Sequence, residues 1–132
     1  MSLFNIFNIA GSAMTAQSER LNVVASNLAN ADSSSGADGQ AYHAKQVVFE
    51  PMPMGDPSST GVRVSAVVND PRPMKKVYDP SNPLADSNGY ITQTNVNAVE
   101  EMVNMISASR SYQNDVAIAA TTTNLLTKTL SI

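Results

Sequence analysis

Residues 98–130 read AVEEMVNMISASRSYQNDVAIAATTTNLLTKTL and contain neither proline nor glycine. Positions spaced alternately three and four residues apart along this stretch are mostly apolar: Ala98, Met102, Met105, Ser109, Tyr112, Val116, Ala119, Thr123, Leu126 and Leu130. A second apolar stripe of Val99, Val103 and Ile106 widens that face at its start. The pattern predicts one helix of roughly 35 residues, about 50 Å long, with coiled-coil spacing.

The same spacing recurs at the N-terminus. It selects eight positions, of which seven are apolar: Leu3, Phe7, Ala10, Met14, Gln17, Leu21, Val24 and Leu28. The turn-forming run Asn-Ala-Asp-Ser-Ser-Ser-Gly at residues 30–36 predicts where this helix stops. Each stripe needs a partner and the chain has to return, so the two helices are expected to pair as an antiparallel coiled-coil hairpin.

Residues 32–94 hold all seven prolines and five of the six glycines. Short strands are predicted at residues 46–49, 61–68, 75–78 and 90–92, with proline-containing connectors at 51–57, 70–73 and 79–83 that interrupt any continuous sheet. Residues 36–39 are interpreted as a flexible link. The predicted fold is α+β and elongated, with an N-terminal helix in 1–31, a loop and a small β-rich region in 32–94, and a C-terminal helix in 95–132.

Charged residues are scarce, at 14% of the 132 residues, and the formal net charge is −3. Residues 1–31 contain only Glu19 and Arg20 as charged side chains. The basic residues are scattered, which argues against a nucleic-acid partner. Surfaces with so few charges resist association poorly, and we expect other chains to cover them.

The sequence offers no constellation for catalysis, metal binding or a cofactor. Its single histidine, His43, has no neighbouring nucleophile, and there is no cysteine. Glu100 and Glu101 are interpreted as favourable charges at a helix N-terminus. Asp79-Pro80 and Ser87-Asn88-Gly89 are interpreted as turns, because the spacing of Asp79, Asp86 and Asn88 does not match a calcium-binding loop. We therefore expect a protein that is not an enzyme. Separately, we expect no secretory signal of the usual kind and no transmembrane helix.

Four segments carry a resemblance to a known family. They are Ser-Asn-Leu-Ala-Asn-Ala-Asp at residues 26–32, Val-Tyr-Asp-Pro at 77–80, Ala-Asp-Ser-Asn-Gly-Tyr-Ile at 85–91 and the stretch from Asn95 to Gln113. The first resembles the signature shared by the flagellar rod and hook axial proteins. The others, together with the first, resemble the proximal rod proteins of the bacterial flagellar basal body. The chain departs from that family at residues 33–40, which precede Tyr42, and in its tail, residues 121–132.

The resemblance implies a structural subunit of the rod, which transmits torque from the membrane ring to the distal rod and hook. It also implies export by the flagellar type III apparatus without a cleaved signal. The implied partners are other copies of the chain, other rod proteins, and membrane-ring and export-gate adaptor proteins, with no small-molecule substrate. Residues assigned to the assembly interface are Leu3, Phe7, Met14, Leu21, Val24, Asn27, Leu28, Asn30, Met102, Val103, Met105, Ile106, Arg110, Tyr112, Val116, Leu126 and Leu130.

Two alternatives stay open at this point. The helical stripes alone are also compatible with a secreted coiled-coil binding module that grips partner helices. The signature at residues 26–32 is equally compatible with a different rod or hook axial protein, because all relatives share it.

Overall fold

Two long helices lie at the ends of the chain in the computed structural model, which describes residues 3–35, 40–55 and 59–131. They are α1 (Leu3–Ala29) and α2 (Ala98–Leu130). Between them lie four strands: β1 (Lys45–Pro53), β2 (Thr60–Asn69), β3 (Lys75–Tyr78) and β4 (Tyr90–Gln93). The α+β organisation predicted from sequence is confirmed. The predicted link at residues 36–39 lies outside the described residues.

The helix boundaries follow from local hydrogen bonding. The Asn97 side chain accepts bonds from the backbone N–H groups of Val99 and Glu100, and α2 begins one residue later. This is the usual role of an N-cap asparagine, which satisfies donors that have no intrahelical partner. Beyond α1, the N–H groups of Asn30 and Ala31 donate to carbonyls three residues back, so the helix tightens into a turn. α1 therefore ends close to its predicted boundary.

β1 and β2 form an antiparallel hairpin that pairs from Lys45 with Asn69 to Pro53 with Thr60, with a bulge after Val48. Pro51 and Pro53 were expected to break the strand, and this expectation is wrong because both belong to β1. β1 lies at the edge of a two-stranded sheet. Residues two apart point their N–H groups the same way, so the missing donors of both prolines fall on the free edge.

β3 and β4 form a second antiparallel pair, from Lys75 with Gln93 to Tyr78 with Tyr90. The free side of β4 is also used. Ser35 N–H donates to the Thr92 carbonyl at 2.8 Å, and Thr94 N–H donates to the Ser33 carbonyl at 3.2 Å. The start of the segment after α1, expected to be loop, therefore docks on this sheet.

The buried apolar side chains are small, and most of them are alanine: Ala10, Ala16, Val24, Ala41, Ala44, Ile91, Ala108 and Ala119. α1 packs against α2, β1 and β2. Gly61 permits the close approach of β2, since a Cβ there would collide with the side chains of Ser12 and Met54. Across the described residues, neither helix combines the length and apolarity needed to span a bilayer.

Candidate assembly interface

The apolar stripe predicted for α1 faces the rest of the chain. Ala10 and Val24 are buried, and Met14, Leu21 and Leu28 are half-buried. Phe7 departs from the pattern and is 45% exposed. The Leu3 side chain lies outside the described part of the structure. The sequence pattern thus identified the packed face of α1 correctly, except at its N-terminal end.

The packed face of α2 differs from the predicted stripe. Its buried residues are Glu101, Ala108, Ala119 and Thr122. Five positions of the predicted stripe are exposed instead: Met102, Tyr112, Val116, Thr123 and Leu130. At 3.6 residues per turn, the packed face is rotated around the helix axis by roughly 60° from the predicted stripe, which is little more than half a residue. The expectation that the whole apolar stripe of α2 faces α1 is therefore wrong, although Ala119 of that stripe is buried and Met105 and Leu126 are half-buried.

Val99, Met102, Val103 and Ile106 form an apolar surface that we call the outer patch of α2. Their exposed fractions are 70%, 55%, 62% and 55%. Helical periodicity places them on the side opposite Glu101 and Ala108. The first turns of α2 thus pack small and polar residues inward and expose large apolar ones, the reverse of a soluble surface helix. Exposed apolar patches of this kind mark interaction sites.

Other predicted interface residues are also accessible. Tyr112 is 37% and Val116 42% exposed, and Leu130 is 85% exposed near the end of α2. Phe4, which the sequence analysis did not assign to the interface, is 67% exposed near the start of α1. The Arg110 side chain is exposed one turn beyond Ile106. The structure therefore brings Met102, Val103 and Ile106 together with Arg110 on one face. The other exposed interface residues lie elsewhere on the surfaces of α1 and α2.

Asn27, assigned to the interface from the signature, forms an internal joint. It is 1% exposed, its Nδ2 donates to the Lys45 carbonyl at 2.8 Å, and its Oδ1 accepts from the Lys45 N–H at 2.9 Å. Tyr42 Oη also donates to this oxygen at 3.0 Å. Asn27 thereby satisfies both backbone groups of Lys45 and fixes the start of β1 on α1. Asn30 Nδ2 donates to the Ser26 carbonyl and closes the end of the helix.

A second asparagine joins the middle region to α2. Asn95 Oδ1 accepts from the Ala44 N–H at 2.7 Å, and its Nδ2 donates to the carbonyls of Asp70 and Arg72. Asn95 lies two residues before the N-cap of α2. It therefore positions the start of the helix relative to the strands.

Asp70 and Arg72 add charged contacts to this connection between the strands and α2. The buried Asp70 Oδ2 accepts from Arg72 Nε at 2.9 Å and from Gln46 Nε2 at 2.8 Å. Arg72 Nη1 also contacts Glu100 Oε2 at 2.9 Å, which reaches the first turn of α2. The Arg72 hydrogen bonds lower the pKa of the Asp70 carboxyl, and the two carboxylates raise the pKa of Arg72. These two shifts keep the Asp70–Arg72 pair charged over a wide pH range, and the Arg72 contact with Glu100 links the end of β2 to α2.

A cleft of about 450 Å³ opens between the end of α1, β1 and the start of α2. Arg20 lines it and donates from Nη2 to Asn104 Oδ1 at 3.3 Å, which links α1 to α2. Glu101 lies in the same wall and is 7% exposed; its Oε2 has no hydrogen-bond partner among the described residues. Glu100 and Glu101 thus play different parts, one in an ion pair and one in the helix interface.

Further along α2, Asp115 lies partly buried on the packed face. Burial raises the pKa of its carboxyl. Gln17, on the packed face of α1, has a buried Oε1 without a partner among the described residues. The contact between the helices is therefore polar in several places and contributes little apolar burial.

Two acidic loop residues have turn roles, of which the role of Asp79 was predicted. Asp79 Oδ1 accepts from the backbone N–H and hydroxyl of Ser81, and these hydrogen bonds lower the pKa of Asp79. Asp86 Oδ1 accepts from the N–H groups of Asn88 and Tyr90, which lowers the pKa of Asp86. Within residues 3–35, 40–55 and 59–131, no group of three or more possible ligands could hold a metal ion.

Comparison with known proteins decides the family. The model of the flagella basal body rod protein family matches residues 7–37, and the model of the C-terminal region of the flagellar basal body rod FlgEFG proteins matches residues 87–132. The flagellar basal-body rod protein FlgC of Yersinia enterocolitica is 56% identical over 132 residues, covering 100% of this chain and 98% of the relative. FlgC of Salmonella typhimurium is 54% identical and FlgC of Escherichia coli O157:H7 is 55% identical, each with the same coverage. The chain belongs to the FlgC family.

Membership in the FlgC family makes the chain a structural subunit of the flagellar basal-body rod. The two family models fall on α1 with the turn after it, and on the approach to α2 with the helix itself. These are the segments that carry the Asn27 joint and the outer patch. The joint and the outer patch therefore both lie in the parts of the FlgC chain that the family models describe.

Several residues of the joint were missed by sequence reasoning: Tyr42, Asp70, Arg72 and Asn95. Two signals were available for part of it. The Asn-Val-Asn run before α2 is typical of helix capping, and the Asp-Pro-Arg-Pro run predicts a tight turn. Neither signal indicates which distant backbone groups the side chains reach, because those partners are set by tertiary structure.

Proposed function

We propose that this FlgC-family chain is a proximal rod subunit that transmits torque from the membrane ring to the distal rod and hook. Its role is mechanical and not catalytic, and it requires no cofactor. Its partners are other copies of itself, other rod proteins, and membrane-ring and export-gate adaptors. Export occurs through the flagellar type III apparatus without a cleaved signal. A low charge content and exposed apolar surface on the helices support a chain that functions only when other subunits surround it.

The outer patch of α2 is the observation that carries this proposal. Four large apolar side chains within two turns are more than half exposed and lie opposite the face that packs on α1. A free monomer gains nothing from this arrangement. Burial against a neighbour recovers roughly 25 cal/mol for each Å² of apolar surface removed from water. Dense helical interfaces also deform little, which suits the transmission of torque.

The assembly residues divide by role within this proposal. Phe7, Arg110, Tyr112, Val116, Leu130 and the outer patch contact neighbouring subunits directly. The buried and half-buried residues act indirectly, because they hold α1 and α2 in the geometry that presents those surfaces: Met14, Leu21, Val24, Asn27, Leu28, Asn30, Met105 and Leu126. Residues 1–31 and 95–132 serve as the assembly segments, and residues 32–94 serve as the insert between them.

We further propose that α1 and α2 pair as an antiparallel coiled-coil hairpin. The Arg20–Asn104 hydrogen bond supports this register, because it joins the second half of α1 to the first half of α2. Burial of Ala10 and Ala119, on the opposite halves, supports the antiparallel direction. The chain has no cysteine, so the double variant Arg20→Cys with Asn104→Cys should form a disulfide within one chain. Cross-linking only between chains would contradict the hairpin.

A matched pair of isoleucines on α2 tests the assembly role. Ile106 belongs to the outer patch, whereas Ile118 is similarly exposed but lies on another face of the same helix. Ile106→Asp should abolish swimming and rod assembly in a strain that lacks its own copy of this subunit. Ile118→Asp should preserve both. Full motility with Ile106→Asp, or failure of the unsubstituted chain to enter purified basal bodies, would contradict the proposal.

A further inference from the structure

A strip of α1 that neither α2 nor the β1–β2 hairpin covers forms a second exposed surface, which we call the outer face of α1. Its exposed residues are mainly small or neutral: Thr15, Ser18, Glu19, Asn22, Ala25 and Ala29. Small side chains allow the large side chains of another helix to approach the backbone closely. Glu19 is the single charged residue that α1 contributes to this face, because the neighbouring Arg20 points inward to Asn104. It lies at the edge of the face, in a cleft that Arg63 of β2 also lines, and Arg63 is paired with Glu50.

The outer patch of α2 also has one free charge beside it. Arg110 follows Ile106 by one turn on the same face and is exposed. Glu100, the other exposed charge in this half of α2, is already paired with Arg72 at 2.9 Å. Among the described residues, neither Arg110 nor Glu19 has an ion-pair partner. One surface thus carries large apolar side chains and the other small ones, and their single unpaired charges are opposite in sign.

We propose that the outer patch of α2 in one copy packs on the outer face of α1 in a neighbouring copy, with Arg110 paired to Glu19. This inference rests on the proposed function and specifies which surfaces of two like chains meet. Subunits that share one direction along a rod bring α1 of one copy beside α2 of the next in antiparallel orientation. Val99 then lies near Ala29, because each is about 15 Å along its helix from the charged residue. The large side chains of the patch rest over Asn22 and Ala25.

Two different surfaces meet in this contact, so the interface is heterologous. When two copies meet in this way, the outer face of α1 in one copy and the outer patch of α2 in the other are still free. Further copies can therefore add at both ends, and the contact does not close in a symmetric dimer. Charge complementarity selects a second copy over an uncharged apolar partner. The ion pair mainly fixes register, while the apolar side chains contribute most of the burial.

Charge reversal tests the contact in cells that lack their own copy of this subunit. Arg110→Glu and Glu19→Arg each place like charges together, and each should reduce incorporation into purified basal bodies roughly tenfold or more. The double variant restores opposite charges and should return incorporation to within about twofold of the unsubstituted chain. Lys75→Glu, which reverses an exposed charge on β3, should have no effect and serves as the control.

Cysteine cross-linking then identifies the occupant. Rods built from a mixture of Ala25→Cys chains and Val103→Cys chains should give a dimer of the two chains, and rods built from either variant alone should not. If the double reversal fails to rescue, or if the mixed rods give no dimer although both chains are incorporated, the inference is overturned while the rod function stands. If the unsubstituted chain itself does not enter basal bodies, the proposed function fails first.

Discussion

α1 and α2 carry similar apolar spacing but occupy different environments. α1 is packed on several sides by α2, β1 and β2, and its apolar stripe turns inward. Among the described elements, α2 contacts only α1; its buried residues are Glu101, Ala108, Ala119 and Thr122, and its Asn104 accepts a hydrogen bond from Arg20. The apolar periodicity of α1 therefore marks residues that pack within the chain. In α2, many of the apolar residues with this spacing lie on surface that a single chain leaves exposed.

This difference follows from the available burial partners. A chain with so few large side chains in its core cannot cover two long helices. The Asn27 and Asn95 joints supply order where apolar burial is scarce, since each asparagine side chain binds backbone groups at both its oxygen and its nitrogen. Stability within the chain therefore depends on hydrogen-bonded joints near one end of the helices. Assembly depends on the outer surfaces.

Proline in the middle of α2 should produce the largest effect. Ile106→Pro removes a backbone donor and clashes with the preceding turn, at a cost of roughly 3 kcal/mol or more. We expect it to abolish rod assembly and swimming. Ala98→Pro is the control, because the first helical position needs no N–H donor and tolerates proline. Normal swimming of the Ile106→Pro strain would show that a continuous α2 is not required.

Loss of the Asn27 side chain should come next. Asn27→Ala leaves the N–H and carbonyl of Lys45 without partners beside a buried site, which we expect to cost roughly 2 to 4 kcal/mol in urea unfolding. Asn30→Ala removes a single bond to the Ser26 carbonyl in a half-buried position and should cost about 1 kcal/mol or less. Equal losses in the two variants would mean that Asn27 has no special role in joining α1 to β1.

Much of the fold could be predicted from sequence because its signals are local. The absence of proline and glycine defined α2, and the turn residues after Ala29 defined the end of α1. The strand β1 was underestimated because Pro51 and Pro53 suggested a break. Whether a proline interrupts a strand depends on which edge its nitrogen faces, and that orientation is a property of the paired sheet.

The candidate site was only partly predictable for a similar reason. Apolar spacing identified Met102, Val103 and Ile106, and the shortage of charge indicated that neighbours cover them. The rotation of α2 that places Glu101 and Ala108 inward could not be read from the pattern, because an alanine contributes little to an apolar stripe. The internal role of Asn27 depends on its contact with Lys45, eighteen residues away. Such contacts leave no periodic signal.

The Asp70 joint should make stability depend on acid. Hydrogen bonds from Arg72 lower the pKa of Asp70 below its value of about 3.9 in an unfolded chain. Its stabilising contribution is therefore complete above about pH 4 and is lost as the pH falls through the lowered pKa. Asp70→Asn should lower stability at neutral pH and flatten the decline between about pH 4 and pH 2 in chemical denaturation. An unchanged acid profile would exclude Asp70 as a contributor.

The smallest effect is expected at Asp115, where the sign is reversed. Burial raises the pKa of this carboxyl, so its ionised form costs stability as the pH rises above the unfolded value of about 3.9. Asp115→Asn should stabilise the free monomer at pH 7 by a few tenths of a kcal/mol, and the gain should vanish near pH 3, where both states are protonated. A loss of stability at pH 7 would instead show that the charge has a favourable partner within the chain. If the variant stabilises the monomer but impairs swimming, the charge of Asp115 serves a contact made only in the rod. In that case α1 and α2 differ in the faces that pack within the chain as well as in their exposed faces.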